Sequence, residues 1–184
     1  MRLFVSVDLP DALAGPIADL QEQFEDASGL DFTDPEQAHV TLKFLGDTPE
    51  HRLNDVTDAL ETAVSAADVD PFEATFGGLG VFPSLEYISV LWFGVESGAE
   101  TFCTLQKPIE EHLVEMGFEP EDHEFTPHVT LARMNHAGGK ELVQSNVETL
   151  DPTIGTMTVE EVRLTESTLA AEGPVYETRH RVEL

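Results

Sequence analysis

Leu3, Val5 and Val7 occupy every second position of residues 2–8, the period of a strand with one buried face. Pro10-Asp11 closes that run. Leu13, Ile17, Leu20 and Phe24 then recur at three- and four-residue intervals, which predicts a helix closing near Gly29. Residues 38–45, AHVTLKFL, return to strand character and stop at Gly46-Asp47. Thr48-Pro49-Glu50 predicts an N-cap with proline in the first helical position, ahead of a helix buried along Leu53, Val56, Leu60 and Val64.

Beyond Asp70-Pro71, the alternation of Phe72, Ala74 and Phe76 predicts a strand ending at Gly77-Gly78. Gly80-Val81-Phe82-Pro83 reads as a loop into an apolar strand from Tyr87 to Val95. A helix over about 98–116 stops at Gly117, and Pro108 is expected to kink or split it. A strand at 127–133 and a short polar helix after Gly138-Gly139 follow. Two long strands, about 153–168 and 174–184, are joined by the turn Ala171-Glu172-Gly173-Pro174. Helices and strands interleave, hairpin-length connections are frequent, and no Pro-, Gly- or Ser-rich linker divides the chain. The expected class is α+β with largely antiparallel sheet, in one domain.

One feature rises above this pattern. His39-Val40-Thr41-Leu42 recurs letter for letter as His128-Val129-Thr130-Leu131. With seven histidines in the chain, an accidental match of this length is expected on the order of once in a hundred such sequences. The strand period sets His39 beside Thr41 and His128 beside Thr130 on one face, while the valines and leucines anchor the other. Each copy thus presents an imidazole and a hydroxyl on a stiff backbone. In-line displacement at phosphorus needs a base on one side and an acid on the other, and histidine can fill both roles near neutral pH. Threonine hydroxyls can donate to the non-bridging oxygens. Lys43 has the parity of His39 and Thr41. Arg133 follows the second motif, with the wrong parity for the His128 face unless the strand has ended or bulged there.

Other candidates are weaker. His123 and His128, flanked by Asp122 and Glu124, lack the helical spacing or cysteine pair of a zinc site. No metal and no cofactor are expected. Gly77-Gly78-Leu79-Gly80 lacks the Gly-Lys-Ser/Thr ending of a phosphate-binding loop. Trp92 and Cys103 read as core residues, and a single cysteine excludes an internal disulfide.

Over most of its length the chain resembles the RNA 2′,3′-cyclic phosphodiesterase family, the 2′-5′ RNA ligase-like proteins of the 2H phosphoesterase superfamily. The resemblance rests on the paired motifs and on RLFVSVDLP, HVTLKFLG, GGLGVFP with VLWFGV, FTPHVTLARM and LTESTLAAEGPVYE. It implies a bilobal α+β fold built from a duplicated β-α-β-α-β unit, with helices outside antiparallel strands that enclose a cleft. It also implies metal-free opening of a terminal 2′,3′-cyclic phosphate to a 2′-phosphomonoester. In that scheme His39 is the proton donor, His128 the proton acceptor, and Thr41 and Thr130 hold phosphate oxygens. Lys43 and Arg133 become candidate substrate contacts, and Phe82 a candidate to stack on a terminal base. Three other readings stand beside it: 2′-5′ RNA ligation, action on a small cyclic nucleotide, and non-catalytic binding of RNA ends.

Charge bears on the setting. The chain carries 36 Asp and Glu against 9 Lys and Arg, a formal net charge of −27. Such a surface repels polyanions in dilute salt. The acids are spread along the whole chain and lysine is reduced to Lys43, Lys107 and Lys140. That distribution suits a cytoplasm with molar salt, where the Debye length shrinks to about 3 Å. No run of 18 apolar residues predicts a membrane span, and an acid at position 8 comes too early for a secretory signal. A cytoplasmic, monomeric protein is expected. The melting temperature should climb between dilute and molar KCl as self-repulsion is screened; a value indifferent to KCl contradicts this reading.

Overall fold

A computed structural model describes all of residues 1–184. Nine strands and four α-helices alternate along the chain: β1 (Arg2–Asp8), α1 (Ala14–Glu22), β2 (Leu30–Phe32), β3 (His39–Asp47), α2 (Leu53–Ala67), β4 (Phe72–Pro83), β5 (Ile88–Ser97), α3 (Ala99–Glu115), β6 (His128–Met134), α4 (Lys140–Thr149), β7 (Thr153–Val159), β8 (Glu161–Ala170) and β9 (Gly173–Glu183). The strands form one sheet in the order β7-β4-β5-β6-β3-β1-β8-β9, with β2 added against β6. Every pairing is antiparallel, and the sheet curls into a half-barrel. Leu3, Val5, Val7, Val40, Leu42, Val129 and Leu131 join the helix stripes in a continuous cluster of 33 buried apolar residues. Phe4, Ser6 and Asp8, at the alternate positions of β1, look the other way, onto the face that carries the two histidines.

The same irregularity follows the His-x-Thr of each motif strand. Val5 pairs with Lys43 but Ser6 with Thr41, so Leu42 is an extra residue on β3. Likewise Leu91 pairs with Ala132 but Trp92 with Thr130, so Leu131 is extra on β6. A bulge inverts the parity of everything after it. Lys43 and Ala132 therefore turn into the interior, each at most 1% exposed, whereas Phe44 and Arg133 emerge as exposed residues. The Lys43 ammonium donates to Glu110 Oε2 at 2.7 Å and to the Glu119 carbonyl at 2.8 Å. Glu110 Oε1 accepts from the Glu121 amide at 2.9 Å. This knot ties β3 and α3 to the segment that leads into β6.

Several boundaries differ from the sequence expectations. β4 continues through Gly77-Gly78 to Pro83, because Gly78, at φ +74°, lets the strand slip register and resume at Gly80 opposite Trp92. The expected strand 153–168 is two strands interrupted at Glu160, with β7 beside β4 and β8 beside β1. Pro108 leaves α3 unbroken; the carbonyl its missing N–H would have met belongs to Thr104, on the exposed side. Thr48 is no cap: its hydroxyl donates to the Gly46 carbonyl at 3.1 Å, and α2 begins at Leu53 after a short 3-10 turn. Cys103 is exposed rather than buried. Replacing Lys43 by Met should lower unfolding stability by about 3 kcal/mol, because Glu110 loses its buried partner. A change under about 0.5 kcal/mol in a denaturant titration contradicts the role given to this knot.

Candidate active site

β3 and β6 meet through a single backbone pair, Val40 with Val129. In that antiparallel register His39 falls opposite Thr130 and Thr41 opposite His128, all four on the face away from the two valines. Each imidazole is fixed the same way. His39 Nδ1 donates to the Gln37 carbonyl at 3.0 Å, and His128 Nδ1 donates to the Thr126 carbonyl at 2.6 Å. A carbonyl oxygen only accepts, so Nδ1 holds its hydrogen and Nε2 is the nitrogen left for proton transfer.

Aromatic rings wall both sides. His39 lies 5.0 Å from the Phe4 ring and 5.3 Å from Tyr176, the latter edge-on at 89°. His128 lies 5.0 Å from Phe82, also edge-on, and 5.7 Å from Trp92. Burial holds both imidazoles below their ordinary pKa, opposed by the Nδ1 bonds to the Gln37 and Thr126 carbonyls, while the Arg133 cation adds to the lowering. Gln37 also reaches β9: its Nε2 donates to the Pro174 carbonyl at 3.0 Å and its Oε1 accepts from the Tyr176 amide at 3.2 Å. One residue thus orients His39 through its backbone and holds the Tyr176 strand over it through its side chain. Next to His39 opens a cavity of about 670 Å³, lined in part by Asp8, Glu36, Gln37, Glu161, Arg163 and Tyr176.

The sequence candidates divide. His39, Thr41, His128 and Thr130 share one face of adjoining strands. Arg133 joins them, since the bulge at Leu131 supplies the change of parity that it needed. Lys43, by contrast, is carried away by the equivalent bulge at Leu42 and is spent on Glu110. Phe82 packs against both His128 and Trp92, and Trp92, itself beside His128, is therefore a wall of the site rather than plain core. Asp8, Tyr176 and Phe4 carry no signal in the sequence, because only strand register brings them to His39, and Gln37, two residues before His39, belongs to no motif. Glu121, Asp122 and His123 bring three metal-ligand atoms together, yet all three are exposed and His123 is bonded to Asp122 at 2.8 Å.

Known proteins share this arrangement of chain. The 2′-5′ RNA ligase superfamily matches residues 9–169. A Methanothermobacter thermautotrophicus protein named RNA 2′,3′-cyclic phosphodiesterase is 35% identical over 178 residues, which covers 96% of this chain and 95% of the relative. A Methanocaldococcus jannaschii protein of the same name is 31% identical over 178 residues, covering 96% and 97%. Among solved structures, a Thermus thermophilus protein superposes with a TM-score of 0.82 at 30% identity, over 100% of this chain and 98% of its own. Escherichia coli LigT bound to 3′-AMP shares the fold at a TM-score of 0.81 and 21% identity, over 100% and 97%. A shared superfamily core, relatives matched nearly end to end and the doubled His-Val-Thr-Leu strand agree: this chain belongs to the 2′-5′ RNA ligase superfamily, in the family of the RNA 2′,3′-cyclic phosphodiesterases.

Proposed function

We propose that this protein hydrolyses the 2′,3′-cyclic phosphate at the end of an RNA to a 2′-phosphomonoester by paired acid and base catalysis. The observation that carries the reading is the matched pair of histidines, each with Nδ1 tied to a carbonyl and Nε2 left free, on strands that touch between them. His128 removes a proton from water, whose oxygen forms the new bond to phosphorus. The P–O3′ bond breaks, and His39 gives its proton to the departing 3′ oxygen. Thr41 and Thr130 donate to the non-bridging oxygens and Arg133 offsets their charge. Aromatic enclosure favours the neutral form of both imidazoles, His39 beside Phe4 and Tyr176 and His128 beside Phe82 and Trp92; the choice of His128 as base and His39 as acid is the one the family resemblance implies. No step needs a metal, because the strained ring carries its own leaving group.

A second substrate range has a specific observation behind it. The cavity beside His39 is bordered by Asp8, Asp11, Glu36, Glu160 and Glu161 against the single cation Arg163. An extended RNA backbone would be repelled there in dilute salt, whereas a small cyclic nucleotide brings one phosphate only. Assays at molar KCl with EDTA, on a cyclic-phosphate oligonucleotide and on a 2′,3′-cyclic mononucleotide, separate the two. The expected product is a 2′-phosphate with a free 3′ hydroxyl, undiminished by chelator. Turnover of the mononucleotide beside an inert oligonucleotide replaces the RNA reading with the small-substrate one, and inactivity on both defeats the proposal. Adding an RNA 5′-hydroxyl in place of water tests for ligation in the same preparation.

The depressed imidazoles set the pH dependence. Activity rises as His128 loses its proton and falls as His39 loses its own, and both pKa values lie on the acid side of ordinary histidine. A plot of kcat/KM against pH should be a bell centred below about pH 6.5. A plateau that extends past pH 8 contradicts this assignment of the two groups.

A further inference from the structure

The two motif copies match down to their Nδ1 bonds, yet the strands beside them do not. The register partner of His39 on β1 is Asp8, whereas the partner of His128 on β5 is Gly94. In the same way Ser6 stands beside Thr41 where Trp92 stands beside Thr130. Antiparallel partners project to the same face. A carboxylate therefore neighbours one imidazole, and at the corresponding place beside the other there is no side chain at all.

The Asp8 carboxylate is firmly held. Its Oδ1 accepts from Ser6 Oγ at 2.9 Å and its Oδ2 from Arg163 Nη1 at 2.9 Å. Ser6 Oγ lies 3.0 Å from Thr165 Oγ1, and both residues are buried. Arg163 Nε also donates to Glu161 Oε2 at 2.9 Å, and Arg181 Nε lies 3.8 Å from that same oxygen, so Asp8 shares the Arg163 guanidinium with a carboxylate that has a second cation of its own. We propose that Asp8 is a positioning residue that breaks the symmetry of the doubled site, holding the proton on His39 while the Gly94 and Trp92 side leaves His128 neutral. This rests on the reading of the two histidines as acid and base, and it adds what gives each its role.

The charged surroundings agree. Facing His39 are Asp8 from β1, Arg133 from β6, Tyr176 from β9 and His128 itself. Burial and Arg133 lower its pKa and Asp8 raises it. Around His128 the charged neighbours are His39, Arg133 and His123, and all three lower its pKa, in addition to burial. No carboxylate opposes them there.

NMR titration of the individual imidazoles in the resting protein, at one fixed KCl concentration, tests the proposal without substrate. In the parent protein His39 should titrate above His128. Asp8→Asn should lower the His39 value by about half to one pH unit and leave His128 in place. Arg163→Gln, which frees the carboxylate, should move His39 upward, a sign opposite to that expected if both changes merely loosened the cleft. With substrate, Asp8→Asn should shift only the basic limb of kcat/KM, costing about three- to tenfold above that limb and little at its acid end, and Asp8→Glu should restore it. The proposal is overturned if His39 stays put in Asp8→Asn, if both imidazoles move together, or if Arg163→Gln also lowers His39. Because the titrations need no turnover, failure of the phosphodiesterase reading itself would show separately, as absence of product.

Discussion

The contact between Val40 and Val129 is the constraint on which the site depends. Two four-stranded halves of the sheet, β7-β4-β5-β6 and β3-β1-β8-β9, touch through that backbone pair. Beyond it β6 is paired by β2 and β3 is bordered by the segment around Glu119. A longer shared ladder would bury the strand starts; none would leave each histidine alone. One pair, with side chains alternating across it, sets two imidazoles and two hydroxyls together on the open face. The carbonyls two residues upstream then fix which nitrogen of each ring is free.

Chemistry at this place draws on two opposed environments. Aromatic walls partly desolvate the imidazoles and favour their neutral forms, while Arg133 adds positive potential in a chain with only nine Lys and Arg. A phosphate arriving between the rings would meet hydroxyl donors and a cation within a molecule that is otherwise strongly acidic. The Lys43–Glu110 pair serves the same end structurally, since it holds the approach to β6 against β3.

The quartet was legible in the sequence because a repeated tetrapeptide with period-two spacing survives any uncertainty about element ends. The neighbours were not, and the reason is register. Neither bulge is marked by glycine: Leu42 and Leu131 are ordinary core leucines, so counting parity assigned Lys43 to the site and left Arg133 conditional on a break. Asp8 sits 31 positions from His39 and Tyr176 lies at the far end of the chain, so only the order β3-β1-β8-β9 brings them together. The α+β class and most helices followed from hydrophobic spacing, whereas the three-residue strand β2 was too short to leave a period. The break at Glu160 was hidden because an alternating pattern does not say which neighbour a strand will take.

The central claim is that both histidines act on a single phosphorus atom, and a double-mutant cycle on turnover tests it most directly. His39→Ala and His128→Ala should each lower kcat by about 100- to 10,000-fold, and the double variant should lose little more than the worse single one, since groups that act as a unit are not additive. Losses that multiply in the double variant, or turnover that survives either single change, would contradict the account.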